Sequence, residues 1–214
     1  MKQKYKNYIE KDCSFDKITM IGILSLIIVI SGFFGFIYEY IFYFFNGGMK
    51  VFYWRGGNFL PWINIYAIGA VMIYAFLYNY RSKPLKVFLS SMLIAGLLEY
   101  FSGLLIYILK GGVRYWDYNT EILNFGNIGG FICFRSVMFF GLSALILMYV
   151  IVPICYYLAK NLNKKSFLII SISLCLFVLS DEFYNLIITK IFNMPDAIEI
   201  YKSLGVNYMK LIIE

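Results

Sequence analysis

Histidine is absent from the 214 residues. That removes the commonest protein metal ligand and the side chain most used as a general base near neutral pH. Cysteine is scarce: Cys13, Cys133, Cys155 and Cys175 are scattered, three of them in or beside apolar runs, and none forms a pair with metal-ligand spacing. A disulfide framework is not expected, and the four read as small core residues. Zinc chemistry and Ser-His catalysis are therefore not expected either, and no cofactor is. The phosphate loop Gly-x-x-x-x-Gly-Lys-Ser/Thr is missing as well, so the chain carries no such site for ATP hydrolysis.

What fills the chain instead is apolar. Hydrophobic residues make up 61% and aromatic residues 21%, with a mean hydropathy of +0.73, against about 45 to 50% apolar in soluble domains. The composition implies an all-α, polytopic helical membrane bundle. Five runs are long enough for a hydrocarbon core of about 30 Å: residues 18–45, 62–80, 85–109, 131–158 and 166–188. Residues 1–17 form a polar tail, too long and polar for a signal-peptide n-region, so the first span is expected to be retained. Between the second and third spans, Arg81-Ser82-Lys83-Pro84 reads as a tight charged turn, with proline opening the next helix.

The net charge of +7 sits at the ends of the apolar runs, which speaks for membrane orientation and against a nucleic-acid partner. Five Lys/Arg residues lie in the N-terminal tail, three between Arg81 and Lys86 and three between Lys160 and Lys165, against only Lys50 and Arg55 in the first long loop. The positive-inside rule then makes the N-terminus cytoplasmic and loops 46–61 and 110–130 extracytoplasmic. In the tail, 189–214, Ala197, Tyr201, Leu204, Tyr208 and Leu211 recur at helical spacing after Asn193 and Pro195. This pattern fits an interfacial amphipathic helix or a short helix docked on the bundle.

A few polar residues break the apolar spans. Ser31, Gly35 and Glu39 share one face of the first span, and Ser91, Ala95, Glu99 and Gly103 share one face of the third. Small residues at this spacing let helices approach closely in lipid, so both stripes should face the interior. Each span is followed by a double glycine and a basic aromatic cluster, Phe52-Tyr53-Trp54-Arg55 or Arg114-Tyr115-Trp116, which suggests a parallel repeat of two hairpins.

At about 1.5 Å per residue, Glu39 lies roughly 9 Å inside the outer end of its span, Glu99 roughly 15 Å, and Asp181 and Glu182 about 10 Å. Arg135 enters the fourth span from the same side. Acids in hydrocarbon cost about 2.5 to 3.5 kcal/mol each on insertion scales, so these must be paired, hydrated or protonated. One reading is a structural lattice in which Arg55, Arg114 and Arg135 neutralise Glu39, Glu99 and Asp181. The other is an outward-facing polar pocket for a cation, a proton or a polar head group, with Trp116, Asp117 and Tyr118 in the loop above. Interfacial anchoring explains most of the loop aromatics without a ligand, and Asp117 can equally close a local turn by accepting backbone N–H bonds.

At these residues the chain resembles the putative type IV ABC-transporter permease family of small bacterial membrane proteins. The matching pieces are Gly35-x-x-x-Glu39, Arg55-Gly56 followed by Pro61, Ile65-Tyr66-x-x-Gly69, Glu99-Tyr100-x-x-Gly103, Trp116-Asp117-Tyr118 and Asn127-x-x-Gly130-x-Ile132-Cys133. Phe36, Asn64, Ala67, Asn119 and Phe131 depart from the family's usual tryptophan, proline, glycine, serine and arginine, and Tyr107 stands at a further acidic position. The resemblance implies a plasma-membrane transport component, not an enzyme, that needs a separate ATPase subunit and at least a homodimer. Two other functions fit the residues: a membrane-embedded lipid-processing enzyme using Glu99 or Asp117, and an accessory or sensory protein that acts through its C-terminal helix.

Overall fold

The computed structural model describes residues 14–50, 52–109 and 111–207. Most of the N-terminal tail, with Cys13, and the far end of the C-terminal pattern, with Tyr208 and Leu211, lie outside them. The fold is all-α. Helix α1 is Lys17–Asn46, α2 Asn64–Leu77, α3 Pro84–Leu109, α4 Phe134–Ile146, α5 Val152–Asn161, α6 Lys164–Phe183, α7 Thr189–Phe192 and α8 Ala197–Ser203. Helices α4 and α5 are joined by a π-helical turn, Leu147–Ile151, and α6 and α7 by another, Tyr184–Ile188.

Four helical stretches are long and apolar enough to cross a membrane: Lys17–Asn46, Pro84–Leu109, Phe134–Asn161 and Lys164–Phe192. The run expected at 62–80 is different. Its α-helical part has 14 residues and tightens into a 3-10 turn at Tyr78–Tyr80, a helical length of about 21 Å. Trp62 and Ile63 stay outside the helix because the Ile63 N–H bonds the Gly32 carbonyl of α1. The fourth span also starts later than expected, at Phe134, since Gly129 and Gly130 adopt positive φ and Ile128 bridges Ile132 before the helix can begin. Its π turn ends two residues before Pro153, which contributes no N–H to the ladder.

The described residues form two compact units, 14–75 with 147–207 and 76–146. In the first, α1 packs on α5 and α6. The core joins Val29, Trp62, Ala67, Cys175 and Val178. Trp62 is 2% exposed and donates its indole N–H to the Ile28 carbonyl at 3.2 Å. Two glycines of α1, one of them in the stripe, explain the close approach: a Cβ on Gly32 would enter the Trp62 indole, and one on Gly35 the Tyr66 ring. Asp16 caps α1 through the Thr19 N–H at 3.0 Å and reaches Lys164 at the start of α6, at 2.9 Å. The Thr19 N–H and then the Lys164 ammonium hold its carboxyl well below the usual range.

In the second unit α3 packs on α4. The buried face of α3 carries Ser91, Ala95, Glu99 and Gly103. Leu89, Leu93, Leu97, Phe101 and Leu105, two positions out of phase, are all exposed. A stripe of large apolar side chains opposite a stripe of small ones is what a helix needs to face lipid on one side and protein on the other. Cys133, Cys155 and Cys175 are free and buried, as small core residues should be.

Gly32→Ala and Gly35→Ala are each expected to lower stability by about 1 to 3 kcal/mol through overpacking. Gly69→Ala, where an added Cβ meets nothing within 4 Å, should be neutral or slightly stabilising. Thermal melts of the three variants in one detergent check this, and equal behaviour would contradict the packing.

Candidate functional site

The polar residues that the sequence singles out fall in both units. Glu39, Arg55 and Asp181 belong to the first, and Glu99, Arg114, Trp116, Asp117, Tyr118 and Arg135 to the second.

In the first unit, the loop after α1 folds back onto the helix it leaves. The left-handed turn at Gly48 and Met49, with φ of 70° and 60°, reverses the chain. Phe52 then stacks on Tyr40 and Phe44, at 5.0 and 4.2 Å between centroids, and Trp54 meets Phe36 at 5.0 Å. Phe36, Tyr40 and Phe44 are spaced four apart, so one helix face supplies the whole platform. Each such pair contributes roughly 0.5 to 1.5 kcal/mol beyond area burial. This stacking delivers Arg55, whose Nε lies 2.8 Å from Glu39 Oε2 and whose guanidinium covers the Tyr43 ring at 4.1 Å. Tyr66 donates its hydroxyl to Glu39 Oε1 at 3.2 Å.

Asp181 and Glu182, at the end of α6, are held by neutral donors. Asp181 accepts the Phe59 and Leu60 N–H groups at 3.1 and 2.7 Å and the Asn185 amide at 2.8 Å. Glu182 accepts the side-chain amides of Asn58 at 2.8 Å and Asn64 at 2.5 Å. The same loop is gripped from the other side by α8. Tyr201 donates to the Phe59 carbonyl at 2.8 Å, and its ring meets Trp54 at 5.3 Å. Burial, and then the charge of Asp181, hold the Tyr201 hydroxyl above its usual range, so it stays a donor. A capping box of Asp196 and Glu199 starts α8. Its Ala197 N–H bonds Asn185 Oδ1 at 2.8 Å. The helix is thus docked on the loop.

In the second unit, Glu99 is 6% exposed. It meets the Tyr118 hydroxyl at 2.5 Å and Ser136 Oγ at 2.9 Å. Arg135 pairs instead with Glu121 at 2.5 Å and lies over the Tyr118 ring at 5.3 Å. Asp117 closes the local turn, accepting the Asn119 N–H at 3.0 Å and the Asn119 amide at 2.7 Å. Asn127 ties that turn to the next by bonding Asn119 Oδ1 at 2.7 Å and accepting the Gly130 N–H at 2.8 Å. Gly130 is at φ 77°, and a Cβ there would run into Asp117, Arg114 and Asn119. Trp116 donates to the Phe131 carbonyl at 2.9 Å, and Arg114 to the Gly129 carbonyl at 2.6 Å. The Arg114 guanidinium lies 4.4 Å from the Phe131 ring centre and 4.8 Å from that of Tyr107. Those rings occupy two of the positions at which the sequence departs from the family pattern.

Among the described residues, the partners differ from those of the lattice reading in all but one case. Arg55 neutralises Glu39, whereas Arg135 goes to Glu121, Arg114 to a carbonyl and two rings, Asp181 to backbone N–H groups, and Glu99 to hydroxyls. Sequence reasoning missed Glu121, Ser136, Asn58, Asn64, Asn185 and Tyr201 as partners. Ser136 carried a signal as a polar residue beside Arg135 at the mouth of an apolar helix, and Tyr201 one as a member of the C-terminal helical pattern.

Apolar helices whose few ionisable groups are answered internally define an integral membrane protein with structured loops. The chain belongs to the family described as putative ABC-transporter type IV, whose model matches residues 26–186. No curated protein and no solved structure matches it.

A double-mutant cycle on Glu39→Gln and Arg55→Gln should give a coupling energy of about 1 kcal/mol or more, above the level of an exposed pair. Additive melts would show that the pair contributes nothing.

Proposed function

We propose that this protein is the membrane-embedded permease component of an ABC-type transport system, working at least as a homodimer with a separate ATPase subunit. The observation that carries this reading is the family match across residues 26–186, on a chain whose helices are long and apolar enough to span a bilayer. Solute recognition falls to the polar groups set into the spans and their loops: Glu39, Arg55 and Asp181 in one unit, and Glu99, Arg114, Trp116, Asp117, Tyr118 and Arg135 in the other. Glu39 and Arg55 are the best placed, because both remain partly exposed, at 16% and 15% of their side-chain surface. A charged pair that keeps some access can exchange its partner for a polar ligand.

The proposed topology puts the N-terminus in the cytoplasm, in a plasma membrane crossed five times. Two contacts within the first unit support five crossings by parity. Asp16, before α1, bonds Lys164, the first residue of α6, so an even number of crossings separates them. Tyr201 bonds the Phe59 carbonyl, so the first loop and α8 share a side and an even number separates them too. Both counts close only if the short α2 crosses. Its 3-10 extension brings it to about 27 Å, close to a core of about 30 Å.

Cysteines placed at Asn46 and Ser203 should be labelled by an impermeant thiol reagent added outside cells, and one at Lys83 only after permeabilisation. Ser203 labelled from the opposite side to Asn46 would refute the crossing count. For function, the tagged protein should co-purify with an ATPase, and Glu39→Gln should lower uptake or export of the system's solute at least tenfold without loss of expression. Purification without an ATPase, together with unchanged transport, would overturn the permease reading.

A further inference from the structure

Counting hydrogens around Glu99 leads to a binding site that neither the fold nor the family assigns. Three oxygen–oxygen contacts run in series: Tyr118 hydroxyl to Glu99 Oε1 at 2.5 Å, Glu99 Oε2 to Ser136 Oγ at 2.9 Å, and Ser136 Oγ to the Cys133 carbonyl at 2.9 Å. Each needs one hydrogen between its oxygens, or two lone pairs face one another in a place shielded from water. Tyr118 supplies one hydrogen and Ser136 one. Carbonyl and carboxylate oxygens supply none, so an ionised Glu99 leaves three contacts with two hydrogens.

We propose that Glu99 is a proton-binding site, held as a neutral carboxylic acid that donates to Ser136, which donates in turn to the Cys133 carbonyl. With that proton each contact holds one hydrogen. The Ser136 oxygen then accepts from Glu99 and from the Cys133 N–H at 3.3 Å.

The charges around the carboxyl agree. Glu121 and Arg135, from the loop and α4, close on each other, so the nearest cation is already neutralised. Arg114 is spent on the Gly129 carbonyl and Asp117 on Asn119. Along α3 the only other charged side chain is Lys86, in the first turn, and α4 has only Arg135. Among the described residues the hydrogen-bond partners of the Glu99 carboxyl are two hydroxyls, in a helix whose other face is apolar. The ligand is a proton: on release the O–H bond breaks, the electron pair stays on the carboxylate and the proton passes to water. This inference concerns the second unit alone and goes beyond the transport reading.

Infrared spectroscopy of the protein in bilayers at neutral pH tests it. The expected result is a carbonyl stretch of a protonated carboxyl that shifts in heavy water and disappears in Glu99→Gln. Ser136→Ala should keep the band but shift it to higher frequency, because the acid loses its acceptor. Glutamine can accept from Tyr118 and donate to Ser136, so Glu99→Gln should melt with wild-type protein, while Glu99→Leu should not. A missing band, a band surviving in Glu99→Gln, a band unmoved by Ser136→Ala, or collapse of Glu99→Gln would each overturn the proposal. The measurement uses no transport assay, so its failure leaves the permease reading standing, and the reverse also holds.

Discussion

A polar group inside hydrocarbon has no water to turn to, and the chain's loops and helix ends are arranged to answer that demand. The answers are local to each unit. In the first, Asp181 and Glu182 are met by two backbone N–H groups and three asparagine amides rather than by cations. In the second, Glu99 is met by hydroxyls and Glu121 by Arg135. Neutral donors suit such places, since a buried ion pair must offset the desolvation of two charges and a carboxyl held by amides only one.

The loops are part of this economy of partners. Residues 52–60 are fixed by aromatic stacking on α1, by the end of α6 and by α8. Residues 114–131 are fixed by reciprocal bonds among Asp117, Asn119, Asn127 and Gly130. Both therefore present Arg55 and Tyr118 to their carboxyl groups from a built framework. A carboxylate whose partner comes from a well-anchored loop has a defined geometry without needing that partner on a neighbouring helix.

Much of this was legible in the residues. The small-residue stripes on α1 and α3 face inward because periodicity and side-chain size decide that directly, and the turn at Asp117 follows from an aspartate beside asparagine. Partner choice was not legible. Arg114 and Arg135 looked like counter-ions for span acids because charge is the only attribute a sequence shows for them. Arg114 instead meets a carbonyl freed by left-handed glycines and two rings. Arg135 meets Glu121, which reads as an ordinary loop acid. Asn58 carries no signal at all, and Asn64 only that of a departure from the family pattern, until the Trp62 segment folds between them against α1. The helix of the second run begins two residues after the apolar run does for a related reason: Trp62 and Ile63 look helical, but the Ile63 N–H goes to the Gly32 carbonyl and the Trp62 N–H to that of Leu60.

The peptide linking Phe59 to Leu60 is grasped at both ends, its N–H by Asp181 and its carbonyl by Tyr201. One amide plane thus rivets together the tip of α6, the docked C-terminal helix and the segment that bears Arg55. None of these three can swing away by itself: a tilt of α6 would drag the arginine along Glu39, and a tug on the chain's tail would be felt at the same carboxylate.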